Sequence, residues 1–489
     1  MRYWKSILIC VCLLFVSLLV FRDYFSLDEP NLFWFIRTGT TAKLYHIKFL
    51  GEGRPIYGFI QIGVMSLLKT MSQLKYLRLI SVGLTGGFCF LLYRFLRKQG
   101  LSEVLSGMIA VGAFALPGFS VFLCWAEAFP NHLSSILSFL AGILACKGFA
   151  EYLGQPAPAR KNLLLILAVL LQIISLFNYQ GMALAFVLPG FFLLILKEDT
   201  DTRRKLIFFI SFVFLFLLAL GIYYKLYTMM MQSTQALEVD RGKLGNDLNG
   251  YLGKITFFGN MLVEASKMHL LLFQSQVVNM VFSVALLIVL VRDLLRKRFL
   301  DIFFLFAFSV LLFLPHFIVS ENWGASRNFV LISLIMFAYL LLRLVQWMPY
   351  IDRPWLWLMV LPVLGILYMN VYTAWVAPQQ KEYTCLQTMS EGLPLLQEGD
   401  SLHISVLLPA WDIHSGKSNL KFYKDEFNAP VCLHHWPVAP AIKVFYQDKN
   451  PEFSASAINQ GIKVEAFIPD SASAIPNRAI LLDMNKAIQ

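Results

Sequence analysis

Along residues 1–376, long apolar runs alternate with short polar segments, and most of those segments carry Lys or Arg. A helix needs roughly 20 largely apolar residues to cross a bilayer. Runs near that length fall at about 6–22, 77–94, 104–123, 132–149, 162–178, 182–197, 206–226, 271–291, 300–319, 328–346 and 355–376, so the pattern predicts about 11 spans. Basic residues gather at Arg2/Lys5, Arg94/Arg97/Lys98, Arg160/Lys161, Arg203/Arg204/Lys205, Arg292/Arg296/Lys297/Arg298 and Arg353. Cytoplasmic loops favour such clusters, which assigns them to the inner side. The run 7–21 has no small-residue cleavage site after it and reads as a retained signal-anchor with a cytoplasmic N-terminus. The stretch 56–71 is apolar enough to cross as well, but counting it would put Arg94, Arg97 and Lys98 outside and invert every later cluster. It is therefore read as a short surface or re-entrant helix inside a first outer loop, 23–76.

An odd number of spans sends the segment 377–489 outside, and there the pattern changes. Apolar density falls, and short β-like runs at 402–408, 442–446, 462–468 and 479–483 follow a helix-like stretch at 381–396. Gly, Pro, Asn and Asp separate them, which predicts a small α/β domain.

Composition agrees with that partition. With 58% hydrophobic and 15% charged residues and a mean hydropathy of +0.64, the 489-residue chain is an α-helical polytopic membrane protein rather than a soluble one. Its net charge of +11 is scattered over short loops rather than gathered on one face, which argues against a nucleic-acid partner. Of the seven cysteines, only Cys385 and Cys432 lie in the tail, where an oxidising compartment would leave them either paired or apart. Cys432, His434 and His435, with His403 and His414 further off, lack zinc spacing, and no structural metal is expected there.

Candidate chemistry sits at the predicted outer ends of the spans. Asp28 and Glu29 close the first, Glu127 and His132 bracket the second outer loop, and Glu321, Asn322, Trp323 and Arg327 fill a later one. Any one of these charges alone reads as a solvated loop residue. Together, on loops too short to reach away from the bundle, they converge on one face. Carboxylates there are ionised at neutral pH and able to take a hydroxyl proton, while Arg grips phosphate through paired donors. That combination suits glycosyl transfer from a lipid-phosphate sugar. Trp34, Tyr45 and Trp323 fit sugar stacking, but aromatic enrichment at membrane interfaces explains them more simply.

Asp28-Glu29, Ile36-Arg37-Thr38-Gly39 and Gly51-Glu52-Gly53-Arg54-Pro55-Ile56, with Asn178-Tyr179-Gln180 and Ala325-Ser326-Arg327 further on, resemble the bacterial glucosyl transferase II family of O-antigen-modifying membrane enzymes. That family is related to the GT-C glycosyltransferases. The resemblance covers most of the membrane region and is weak over the tail; Glu29 stands where the family pattern has a second Asp. It implies a GT-C-like fold in the bacterial inner membrane, with surface helices in the first outer loop and a periplasmic tail. The implied partners are a polyprenyl-phosphate sugar donor, a lipopolysaccharide-type glycan acceptor and membrane lipids. It implies Asp28 as base, assisted by Glu29, with Glu127 orienting the acceptor. Arg327 and Arg37, with Glu321 nearby, are implied on the donor side, and Tyr179 and Gln180 at sugar hydroxyls. Arg54 is left with two roles, donor phosphate or a salt bridge to Asp28 or Glu29. A divalent metal is compatible with the paired carboxylates but not required. A lipid-linked-sugar flippase and a glycan polymerase or ligase are the rival readings. The spans lack the midplane charges that the flippase needs, and only 227–270, with Glu238, Asp240, Arg241, Lys243 and Asp247, favours the polymerase. That segment reads more simply as an amphipathic cap.

Overall fold

The computed structural model describes residues 16–18, 20–26, 28–154, 156, 159–197, 200–234, 248–267, 276–318, 329–348, 365, 368, 371–396, 401–407, 435–467 and 480–483. Among them, five helices are long and apolar enough to cross a membrane: Met71–Lys98, Ala126–Gly148, Lys161–Asn178, Thr202–Thr234 and Val330–Trp347. Lys161–Asn178 turns Leu163, Ile166, Leu167, Leu170 and Ile174 outward. That is one apolar stripe at helical spacing, stable only against lipid or another apolar surface. Its opposite face pairs with Phe129–Gly148 through small polar residues: the Ser134 and Ser175 hydroxyls meet at 2.8 Å, and Ser138 donates to Gln172 Oε1 at 2.9 Å. Small residues let helix backbones approach closely.

Several expectations are refined. The expected 104–123 span is two helices, Glu103–Ala115 and Pro117–Cys124, with Leu116 extended at ψ 135° between them. Proline restricts the residue before it to extended backbone and has no N–H for the carbonyl one turn back. The 56–71 stretch is the helix Pro55–Met65, whose 11 residues are too few to cross. Within 227–270, the helix Thr202–Thr234 continues well beyond its expected end. Leu248–Ser266 packs Phe258 against Phe313 at 4.9 Å, so this part joins the bundle; the charged residues from Glu238 to Asp247 lie outside the described residues.

The tail contains a three-stranded parallel sheet in the order β2-β1-β3, with β1 Leu402–Leu407 central, β2 Ile462–Phe467 and β3 Ile480–Asp483. Leu402 stands opposite Ile462, and Ile404 opposite Ile480. Three of the four expected strands are therefore present, and 442–446 is not one of them: it lies inside the helix His435–Lys449. Buried Val438, Ala441, Ile442 and Phe445 recur at helical spacing over a longer window than the local alternation. The expected tail helix runs from Ala377 to Glu391 and buries Cys385, while Cys432 lies outside the described residues.

The tail also docks on the start of the chain. Phe25 lies 5.6 Å from Tyr383 and 6.1 Å from Phe445, whose own rings meet edge to face at 4.9 Å.

Candidate functional site

Asp28 precedes the helix Glu29–Arg37, which Pro30 starts, yet its side chain caps no backbone N–H. It faces Lys48 instead. Lys48 comes from a π-helical turn, Tyr45–Leu50, whose extra residue per turn re-aims its side chains. Lys48 Nζ lies 2.9 Å from Glu127 Oε1 and 3.9 Å from Asp28 Oδ2. Side-chain exposure falls from 31% at Lys48 and 22% at Asp28 to 2% at Glu127, so the first two are partly open and Glu127 is buried. Burial by itself would lower the Lys48 pKa, but the carboxylates of Glu127, Asp28 and Glu52 outweigh it and hold the ammonium charged above its ordinary range.

Glu29 points the other way, into the interior. Its Oε2 accepts from Arg78 Nη2 at 3.0 Å and from the Ser26 N–H at 2.8 Å, and its Oε1 accepts from the Ala126 N–H. Burial raises the Glu29 pKa more than Arg78 and the two N–H donors lower it. Arg78 also donates to the carbonyls of Cys124 at 3.1 Å and Tyr24 at 2.6 Å, and it stacks on the Tyr24 ring at 3.6 Å. This knot ties 22–29 to 124–126, and the residues next to its two ends are Asp28 and Glu127.

Arg54 belongs to a second cluster. Its guanidinium pairs with Glu52 at 2.8 Å, donates to Gln180 Oε1 at 3.0 Å and lies 4.7 Å from the Tyr179 ring centre. Its salt bridge is thus with Glu52, not with Asp28 or Glu29: two residues apart across a tight turn, Glu52 is the nearer carboxylate. Tyr223 donates to the Gly53 carbonyl at 3.1 Å and Tyr227 to that of Gly51 at 2.9 Å. Gly53 has φ +73°, and a Cβ there would stand 2.5 Å from the Tyr223 oxygen, so the turn requires glycine. Tyr57 joins the two clusters, donating to the Glu127 carbonyl at 2.6 Å while its ring lies 6.3 Å from that of Tyr179.

No family model, curated protein or solved structure matches the chain. What the residues can do is therefore read from their own geometry.

The structure brings Asp28 and Glu127 together around Lys48, and groups Arg54, Tyr179 and Gln180 beside them. Gln180 uses both ends of its amide on protein, with Nε2 donating to Tyr223 at 2.7 Å. Arg37 is engaged by the tail: it meets Asp448 at 2.5 Å and Gln447 at 3.0 Å. Burial raises the Asp448 pKa, against the lowering effects of Arg37 and the Met71 N–H. His132 is buried among helices, with Nδ1 2.9 Å from the Thr85 hydroxyl. Glu321 and Arg327 lie outside the described residues. Among the described residues, no group of three or more His, Cys, Asp or Glu is arranged to hold a metal. Between Asp28 and Glu127, the Lys48 ammonium takes the position a cation would occupy.

Sequence reading missed Lys48 and Arg78. Lys48 has nothing to distinguish it from other loop lysines. Arg78 does carry a signal, a charge inside an apolar run, where an ionisable side chain needs a buried partner.

Proposed function

We propose that the chain is a membrane glycosyltransferase that moves a hexose, glucose by the family resemblance, from polyprenyl phosphate to a hydroxyl of a surface glycan. One observation carries this reading: a partly open carboxylate, Asp28, stands beside a charged Lys48 that also pairs with buried Glu127, in a chain with helices long enough to cross a membrane. In the proposed reaction the acceptor hydroxyl gives its proton to Asp28 and its oxygen attacks the anomeric carbon. The bond from that carbon to the phosphate oxygen breaks as the new one forms, and polyprenyl phosphate leaves with the electron pair. Among the described residues Lys48 is the cation paired with Asp28 and meets the departing charge, with Arg54 as a further candidate and Arg327 as the one the family resemblance implies. A single displacement inverts the anomeric configuration. Glu127 orients the acceptor, Glu29 positions its neighbour through Arg78, and Lys48 supplies the positive charge for which a divalent metal would otherwise be invoked.

The same reading takes the membrane to be the bacterial inner membrane, crossed about 11 times, with the N-terminus in the cytoplasm and the tail in the periplasm. Asp28→Asn tests it. A general base contributes roughly 10²–10⁴-fold, so the variant, expressed and folded normally, is expected to lose transfer from polyprenyl-phosphate glucose in membranes by about that factor. Full transfer by Asp28→Asn would sink the assignment.

A further inference from the structure

Glu127 is followed along the chain and across the adjoining helices by buried polar atoms to which the proposed reaction gives no role. Glu127 spends Oε1 on Lys48, while its Oε2 has no hydrogen-bond partner among the described residues. About one helical turn further on is Asn131, 1% exposed, with neither Oδ1 nor Nδ2 paired among the described residues. On the adjoining helix, Asn178 donates Nδ2 to the Pro130 carbonyl at 2.6 Å, and its fully buried Oδ1 has no partner among the described residues. Gln61, one turn beyond the Tyr57 that donates to the Glu127 carbonyl, likewise has an Oε1 without a partner among the described residues. Buried polar groups are nearly always hydrogen-bonded, and each one left unpaired lowers stability. An amide with both ends idle, four residues after a carboxylate that pairs with the partly open Lys48, has the chemistry to bind a hydroxyl, since Oδ1 accepts and Nδ2 donates to the same kind of group.

We propose that Asn131 reads a hydroxyl of the transferred sugar, with Asn178 beside it, so that the hexose is held next to the acceptor that Glu127 orients. The inference rests on the glycosyltransferase reading and adds to it the side chain that recognises the sugar rather than the phosphate. An unpaired amide is a liability in the free protein and an asset only when sugar is bound. Removing it therefore has opposite effects on stability and on binding, which a structural role would not produce.

The test measures thermal unfolding of the purified full-length protein with no ligand, with polyprenyl phosphate, and with polyprenyl-phosphate glucose. Asn131→Leu, close in volume, is expected to unfold at a higher temperature than wild type without ligand. It is expected to bind polyprenyl-phosphate glucose about tenfold more weakly, the loss of one well-placed hydrogen bond, and polyprenyl phosphate as well as wild type does. Asn131→Ala is expected to show the same division between the two lipids, and carries the test if the leucine variant does not fold. Unchanged binding of the glucosylated lipid by either variant, with wild type binding it, overturns the sugar contact and leaves the reaction standing. A lower unfolding temperature for Asn131→Leu overturns it too, because the amide would then have a structural partner. If wild type binds neither lipid, the glycosyltransferase reading falls and this contact with it.

Discussion

Lys48 is the residue on which the site turns, because it neutralises two carboxylates that would otherwise repel across a short gap. Its folded pKa is raised above the ordinary 10.5. A base with a raised pKa contributes stability that is complete below its unfolded value and is lost as pH climbs through the folded one. Wild type is therefore expected to keep this contribution up to pH 10.5 and to lose it on an alkaline limb above, measured by unfolding temperature against pH. Lys48→Met should be less stable at neutral pH and lack that limb; superimposable alkaline limbs in the two proteins would count against the pairing. Asp28 and Glu127 are legible in the sequence because a carboxylate on a tight loop has few uses besides solvation. Lys48 is not, because its role comes from a π-turn and a neighbour 79 residues away.

At the scale of elements, the Arg78 knot fixes how the first loop meets the turn before the Phe129–Gly148 helix. Glu29 and Arg78 are both fully enclosed, and removing one partner of a buried ion pair leaves the other charge uncompensated, at a cost of about 3–5 kcal/mol. Glu29→Ala and Arg78→Met are each expected to destabilise by about that much, and the double variant by clearly less than the sum. Denaturant or thermal unfolding of the four proteins measures this, and strict additivity would refute the coupling. Elements were legible where a rule reaches beyond the local run. Charge placement along the whole chain predicts a short helix at 56–71, and the helix Pro55–Met65 is short. A five-residue alternation at 442–446 predicts a strand and fails, because helical burial shows only over a longer window. The break at Leu116 was readable from Pro117 alone, yet hydropathy averages across it.

For the whole molecule, the tail is a brace on the segment that carries Asp28. Phe25 is held on one side of that carboxylate by Tyr383 and Phe445, and Arg37 on the other by Asp448. Arg37→Asp and Asp448→Arg are each expected to loosen the brace by about 1.5–3 kcal/mol, the range for a charge-assisted hydrogen bond. The readout is faster hydrogen exchange over His435–Lys449, with protection largely restored in the double reversal; equal exchange in all four proteins would show the contact to be idle. The sequence pattern separates tail from bundle by a fall in apolar density, but holds no trace of their contact, since a pair 411 residues apart leaves no periodicity. That separation also sets an order of events during synthesis. A ribosome adds about 5–20 residues per second, so the loop bearing Asp28 emerges roughly 20–80 s before its last brace. On the glycosyltransferase reading, the loop that carries Asp28 thus waits for the residue that braces it, and transfer begins only after Asp448 has been made.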